Sequence, residues 1–329
     1  MSEPILSLRD LNVRFPMLGR TVEAVSGCSL ELNEGEMLGV VGESGSGKSI
    51  TALAAIGLVP PPGEVSGDIR VAGQALASLD EKQLRRMRGS KVAMIFQNPM
   101  TALSPFFTIG RQMTDIVRLH RDGRDRDIRQ IALSTLARVG LPDPELQFSK
   151  WPHQLSGGQM QRVMIAIGLA CNPRVLIADE PTTALDVTIQ AQIVLLLRRL
   201  VEEEGLSVLF ISHDLGLVSA VCDRVAVMYA GSVVETGPAE EVFRAPRHPY
   251  TRRLLQSVEG LLTRKGKLET MPGKVPDLAA PPPGCRFHPR CDRADSRCAS
   301  VRPEMETHDL VRTACHHPLA TPDVGMSGG

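Results

Sequence analysis

The chain lacks an excess of charge of either sign: Lys+Arg and Asp+Glu each number 37 in 329 residues, for a formal net charge of zero. A nucleic-acid binder is expected to carry a clear basic surplus, so that class is set aside. Long apolar runs are lacking too. No stretch approaches the roughly 20 residues that span a bilayer. The start, Met1 to Asp10, alternates apolar and charged residues without the basic-then-apolar layout of a signal peptide. The expectation is a soluble, cytoplasmic chain that meets any membrane through other subunits. No long-period internal repeat is present. Cysteine is scarce in the first 256 residues, where Cys28, Cys171 and Cys222 read as small buried hydrophobes. The other four crowd into 285–315, which in a cytosolic protein points to metal before disulfides.

Short apolar runs recur instead: Met37–Val41, Val92–Phe96, Val175–Ala178, Val208–Ser212 and Val225–Met228. Each has strand length and is apolar on both faces, as parallel strands between helix layers are. Helical patterns lie between them. One runs from Thr188 to Leu200, with Ile189, Ile193, Leu196, Leu197 and Leu200 on one face. Alternating strands and helices predict a doubly wound α/β core. From about Asn98 to Leu155 the β-type runs stop and helical stretches such as Ile128–Val139 take over, so this part reads as a helical insertion. The charged run Arg121–Asp127 reads as a solvated turn. Proline-rich Met271–Pro283 predicts an extended linker, the cysteine-bearing tail follows, and residues 320–329 read as disordered. The expected domains are 1–256, with the insertion at about 98–157, and 257–329.

Gly42-Glu-Ser-Gly-Ser-Gly-Lys48-Ser49 fits G-x-x-x-x-G-K-[ST]. A buried strand leads in and an apolar helix, Ile50–Leu58, leads out. Glycines let backbone N–H groups converge on phosphate oxygens, and the helix N-terminus adds its partial positive charge. Lys48 is expected to bridge the β- and γ-phosphates and the Ser49 hydroxyl to ligate Mg²⁺. Gly42, Ser44, Gly45, Ser46, Gly47 and Ile50 complete the expected nucleotide contacts. In Arg174-Val-Leu-Ile-Ala-Asp179-Glu180 a strand carries Asp179 to its tip, where it can hold the Mg²⁺ shell. Glu180 follows and can polarise the attacking water. Kinases, GTPases, helicases and transport ATPases all share this much.

Leu155-Ser-Gly-Gly-Gln159 separates them, because two glycines after a serine at a helix start make an exposed anion site. This segment, with the motifs around it, resembles the ATP-binding subunits of ABC transporters over roughly residues 5–255. The resemblance implies a P-loop ATPase core with an antiparallel β subdomain, a helical subdomain and a small Cys-rich extension. It implies that Ser156, Gly157, Gly158 and Gln159 reach across a dimer to the γ-phosphate on the other subunit. Gln97 resembles the glutamine that senses Mg²⁺ and the attacking water. Ala184-Leu-Asp186 resembles the loop crossing the dimer interface, and His213 the histidine that contacts the γ-phosphate. Phe15 is the nearest candidate for the adenine-stacking aromatic, and could equally be core.

Met94-Ile-Phe-Gln-Asn-Pro-Met-Thr-Ala-Leu-Ser-Pro105 and Arg247-His-Pro-Tyr-Thr251 resemble the dipeptide/oligopeptide importer group. That group implies a second, different ATPase subunit, two membrane permease subunits and an extracytoplasmic binding protein. It implies a place on the cytoplasmic face of the membrane, with the coupling helices received near Gln97. Nickel, glutathione and cell-wall peptides are alternative cargoes, and a soluble non-transport ABC ATPase is the rival class. The spacing Cys285-x5-Cys291-x6-Cys298-x16-Cys315 misses both zinc ribbons and common ferredoxin runs. The resemblance implies a [4Fe–4S] cluster there, with structural zinc second. His288, His316 and His317 can compete as ligands, and free thiols in a loose tail are the remaining alternative.

Overall fold

A computed structural model describes residues 3–183, 185–263 and 273–320. Side chains of 258–263 are outside that description. Ala184, Met271–Pro272 and 321–329, all named in the sequence reading, also lie outside it.

The chain opens with a hairpin of β1 (Leu6–Met17) and β2 (Arg20–Leu32), then β3 (Met37–Val41), which enters α1 (Lys48–Ala55) through the glycine-rich loop. β4 (Glu64–Val71) and β5 (Gln74–Ala75) return to the hairpin, giving a four-stranded antiparallel sheet ordered β2-β1-β4-β5. After α2 (Glu81–Ser90) and β6 (Val92–Ile95) come four helices without a strand: α3 (Pro99–Ala102), α4 (Ile109–His120), α5 (Asp125–Arg138) and α6 (Pro144–Ser149). α7 (Gly157–Leu169) leads back to β7 (Val175–Asp179), α8 (Val187–Glu204), β8 (Ser207–Ile211), α9 (Leu215–Val221), β9 (Arg224–Tyr229) and β10 (Ser232–Pro238). α10 (Ala239–Arg244) and α11 (Pro249–Thr263) follow, then α12 (Ser296–Ser300), β11 (Glu306–His308) and β12 (Val311–Thr313).

The second sheet has eight strands, ordered β11-β12-β10-β9-β3-β8-β7-β6. Its stretch from β9 to β6 is parallel. Strand alternation explains its apolar runs. Leu38 and Val40 of β3, Ile177 of β7 and Leu209 of β8 join a core shared with the antiparallel sheet and α1. Met37, Val41, Ala178 and Phe210, on the opposite face, join a core shared with the helices. Both faces are covered, so the strands need no polar alternation.

Several boundaries differ from the sequence reading. The leading-out helix starts at Lys48 and stops at Ala55, with Gly57 turned left-handed behind it. Helix α5 begins at Asp125, inside the run read as a turn. Asp125 and Asp127 fill its first turn, where acidic groups favour the helix dipole, and Arg118–Asp125 and Arg124–Asp127 pair on the surface. Helix α11 runs across the boundary placed at 256/257. The extension, expected as a small separate unit at 257–329, joins the main sheet. β12 pairs antiparallel with β10 through Glu235↔Thr313 and Thr236↔Arg312.

Candidate functional site

The glycine-rich loop turns where β3 ends. Gly42 has φ 153°, and a Cβ there would stand 2.2 Å from the Met228 carbonyl oxygen. Gly47, at φ 99°, caps α1 with a Cβ position 2.7 Å from the Ala24 carbonyl oxygen. Only glycine fits such close backbone approaches. Ser46 Oγ is buried in the loop with no hydrogen-bond partner among the described residues. Lys48 folds back along it, its Nζ donating to the Gly42 carbonyl at 2.8 Å and the Glu43 carbonyl at 3.1 Å. Burial lowers the Lys48 pKa, and the carboxylates of Glu180, Asp179 and Glu43 oppose that.

The parallel register brings the other motifs to the same edge. Ser49 Oγ donates to Asp179 Oδ1 at 3.0 Å. Burial raises the Asp179 pKa, while the Ser49 bond lowers it. The next residue, Glu180, is left-handed at φ 46°, a conformation that strains a non-glycine residue. That turn aims its carboxylate at three neighbours. Oε2 accepts from Gln97 Nε2 at 2.9 Å and Thr183 Oγ1 at 3.0 Å, and lies 3.3 Å from His213 Nδ1. Gln97 follows β6, Glu180 follows β7 and His213 follows β8, so three adjacent strand ends supply one cluster.

The remaining expected nucleotide contacts sit outside that cluster. Ser156 caps α7: its Oγ accepts from Gln159 N at 3.3 Å, and Ser156 N donates to Gln159 Oε1 at 3.0 Å. This capping box leaves Ser156 and Gly157 exposed at the helix start. Asp186 caps α8 by accepting from Ile189 N at 2.9 Å, and a Cβ on Gly157 would stand 3.4 Å from the side chain of Leu185. Phe15 stands opposite Val22 in the hairpin, half-buried with its ring against Gly63. Ser44 and Gly45 form the outer turn of the loop, and Ile50 packs from α1 against the core under the antiparallel sheet.

Sequence reasoning missed Thr183 and Glu43. Thr183 lies three residues after Glu180, a signal readable once Glu180 is singled out. The Glu43 carboxylate receives both Nη1 and Nη2 of Arg290, at 2.7 and 3.1 Å, a contact between residues 247 positions apart that no local pattern announces.

Cys285, Cys291, Cys298 and Cys315 are free thiols lining one small cavity, with His248, His288 and His317 also on its wall. Burial pushes the Cys315 thiol up to about 11, and the charges of the other three cysteines add to it. Two histidines meet backbone carbonyls: His288 Nδ1 that of Cys285 and His316 Nε2 that of Val301, each at 2.9 Å. His317 Nε2 lies 2.9 Å from Asp295 Oδ2. Asp295, Cys298 and His317 also bring ligand atoms within 4.8 Å of one another.

A groove of about 630 Å³ opens between α2, β6 and the helical insertion, lined by Leu58, Met94, Phe96, Leu119 and Met164 among others. Phe96 is 43% exposed and Leu119 77%. Among the described residues no helix is long and apolar enough to cross a membrane.

Comparison with known proteins agrees with this arrangement. Residues 25–183 match the family described as ABC transporter, and residues 234–298 match the oligopeptide/dipeptide transporter C-terminal region. The dipeptide transport ATP-binding protein DppD of Escherichia coli (strain K12) is 45% identical over 317 residues, 96% of this chain and 97% of its own. DppD of Haemophilus influenzae is 45% identical over 316 residues, 96% of each chain. Among solved structures, the dimeric ABC transporter cassette MJ0796 has a TM-score of 0.64 at 29% identity, covering 71% of this chain and 98% of its own. CbiO1 from Clostridium perfringens, part of the transporter complex cbiONQ, has a TM-score of 0.64 at 27% identity, covering 80% and 97%. The chain therefore belongs to the ATP-binding subunits of ABC transporters, within the oligopeptide/dipeptide transporter group.

Proposed function

We propose that this chain is the ATP-hydrolysing subunit that powers an importer of di- or oligopeptides. The observation carrying this reading is identity to dipeptide transport ATP-binding proteins along nearly the whole chain, the cysteine-bearing extension included.

The site supports the following division of labour, with domains taken as 1–256 and 257–329. Lys48 exchanges its two loop carbonyls for the β- and γ-phosphates of ATP. The unpartnered Ser46 Oγ offers a further donor from inside the loop. Ser49 and Gln97, with Asp179 beside them, would hold Mg²⁺, which would supply charge neutralisation for the phosphates. Their fit rests on the Ser49–Asp179 pair, a hydroxyl and a buried carboxylate already converging. Glu180 orients the attacking water and takes up its proton, while Gln97, Thr183 and His213 fix the carboxylate. Ser156, Gly157, Gly158 and Gln159 present the exposed helix start to the γ-phosphate held by another subunit, with Asp186 at the same interface and Phe15 under the adenine. Hydrolysis removes the γ-phosphate that both subunits grip, and the pair opens.

The partner ATPase is a different chain. Two permease subunits hold the pair at the cytoplasmic face of the membrane, an extracytoplasmic protein delivers cargo, and the apolar groove at Phe96 receives a permease segment. The four cysteines would hold a [4Fe–4S] cluster, with zinc as the alternative. The support for this is that the four free thiols line one cavity. Such a group would stabilise the extension.

The test is co-purification with the membrane subunits, reconstitution in vesicles, and uptake assays with peptides of two to five residues, glutathione and nickel. ATP-dependent uptake of peptides is expected. Uptake of nickel or glutathione alone would overturn the cargo assignment, and failure to associate with any membrane subunit would overturn the transport role. Anaerobic purification followed by iron, sulfide and zinc analysis tests the cysteine site. About four irons and four sulfides per chain are expected, and a metal-free protein would refute it.

A further inference from the structure

The extension does more than cover the end of the sheet: it grips the phosphate-binding loop. Arg290, whose side chain is 4% exposed, forms a two-pronged pair with the Glu43 carboxylate at 2.7 and 3.1 Å. The Glu43 backbone N–H donates to Tyr250 Oη at 2.9 Å. Arg290 also donates to Tyr229 Oη at 3.3 Å and lies over that ring. Tyr229, Tyr250 and Phe287 pack against one another, with centroids 4.6 to 5.5 Å apart. Further anchors hold the extension in place. Arg286 pairs with Glu23 at 2.6 Å, and Arg302 donates to the Ser26 carbonyl at 2.6 Å.

Glu43 stands in the loop that must receive a polyphosphate. Its carbonyl accepts from Lys48 Nζ, and its carboxylate adds to the field at Lys48. Left without a counter-charge, that carboxylate repels the incoming phosphates and competes with them for the lysine. In a partly buried site this repulsion is poorly screened. A planar guanidinium meeting both carboxylate oxygens removes the charge and fixes its direction.

We propose that Arg290 is a positioning residue for the phosphate-binding loop, neutralising and orienting Glu43 so that the C-terminal extension sets the loop's affinity for ATP. Arg290 acts through Glu43 and does not belong to the reacting groups.

The experiment uses the full-length chain with Mg²⁺ and the fluorescent nucleotide mant-ATP, with a thermal melt on every variant. Arg290→Gln is expected to weaken mant-ATP binding about ten-fold, the equivalent of about 1.4 kcal/mol. Arg290→Lys keeps the charge and loses the fork, and is expected to weaken binding about two- to three-fold. The double variant Glu43→Gln/Arg290→Gln is the deciding one. Removing the carboxylate removes the need for the arginine, so its affinity returns to within about two-fold of the unsubstituted chain. A purely structural role predicts the opposite, since the double variant loses the same anchor. The proposal is overturned if Arg290→Gln binds mant-ATP like the unsubstituted chain, or if the double variant binds as weakly as the single one. Should Arg290→Gln alone fail to fold, Arg290→Lys and the double variant decide. A loss of about two- to three-fold in Arg290→Lys that the double variant recovers supports the proposal. Arg290→Lys at the unsubstituted affinity, or a double variant about ten-fold weaker, overturns it.

Discussion

Glu180 gathers an amide, a hydroxyl and an imidazole on one carboxylate oxygen. Replacing that oxygen by an amide nitrogen keeps size and shape but removes the base and turns an acceptor into a donor. Glu180→Gln is therefore expected to bind ATP with near-normal affinity and to hydrolyse it about 10²- to 10⁴-fold more slowly. Single-turnover hydrolysis beside an equilibrium binding titration measures both. Turnover within ten-fold of normal would remove Glu180 from the role given to it. At this scale the sequence was largely legible: Asp179, Glu180, Gln97 and His213 each sit one or two positions past an apolar run, and Lys48 closes the glycine-rich pattern that follows β3. Strand ends on one edge of a parallel sheet meet in space. The Glu43–Arg290 pair was invisible for the opposite reason: neither residue stands out locally, and only the folded extension brings them together.

Elements carry two further expectations. Ser156 both caps α7 and stands at its exposed N-terminus. Losing the cap in Ser156→Ala costs about 1 kcal/mol, which lowers the melting temperature by about 2–4 °C in a chain of this size. If the helix start also holds a phosphate on another subunit, ATP-driven dimerisation falls far more than that loss of stability explains. Size-exclusion chromatography with ATP in a Glu180→Gln background separates the two effects. A second element depends on a buried acid. Glu235 on β10 accepts from the backbone N–H groups of Arg247 and His248, just before α11. Burial is the leading cause that pushes its pKa up to about 7 from 4.5, against the lowering effect of those bonds and of Arg247. A carboxyl raised in the folded state binds its proton more tightly there than in the unfolded chain. Its contribution is therefore fully present below about pH 4.5 and is lost as the pH climbs to about 7, by at most about 3 kcal/mol. Glu235→Gln is expected to flatten the fall in stability between pH 5 and 8, as read by denaturant midpoints at matched salt. An unchanged slope would mean that Glu235 titrates normally. The strands were readable because apolar residues on both faces leave few other assignments. The start of α5 was not, because a charged run suits an exposed helix end as well as a turn. The missing cue was Asp125 and Asp127 answering the helix dipole.

Over the whole molecule, the cysteine-bearing extension is an edge of the catalytic sheet. β12 lies on β10, and β10 lies on β9 beside the strand that carries the phosphate loop. Composition alone suggested a separate tail, because the proline-rich stretch reads as a break and strands of three residues leave no periodic trace. The opposite side of the molecule shows an unspent apolar surface. The groove between β6 and the helical insertion exposes Phe96 and Leu119, and Phe96 is the neighbour of Gln97 in the Glu180 cluster. Exposed apolar patches of this kind mark partner sites. A segment seated here would lie one residue from Gln97, which contacts Glu180, and under the proposed function that contact would link seating to hydrolysis. Leu119→Asp places a charge in the groove, away from every residue of the nucleotide site. It is expected to leave the melting temperature and mant-ATP affinity of the isolated chain unchanged, while cutting co-purification with the membrane subunits at least ten-fold. Peptide uptake in vesicles should fall in proportion. Normal assembly and uptake with a charged groove would show that the force of hydrolysis leaves the molecule by another face.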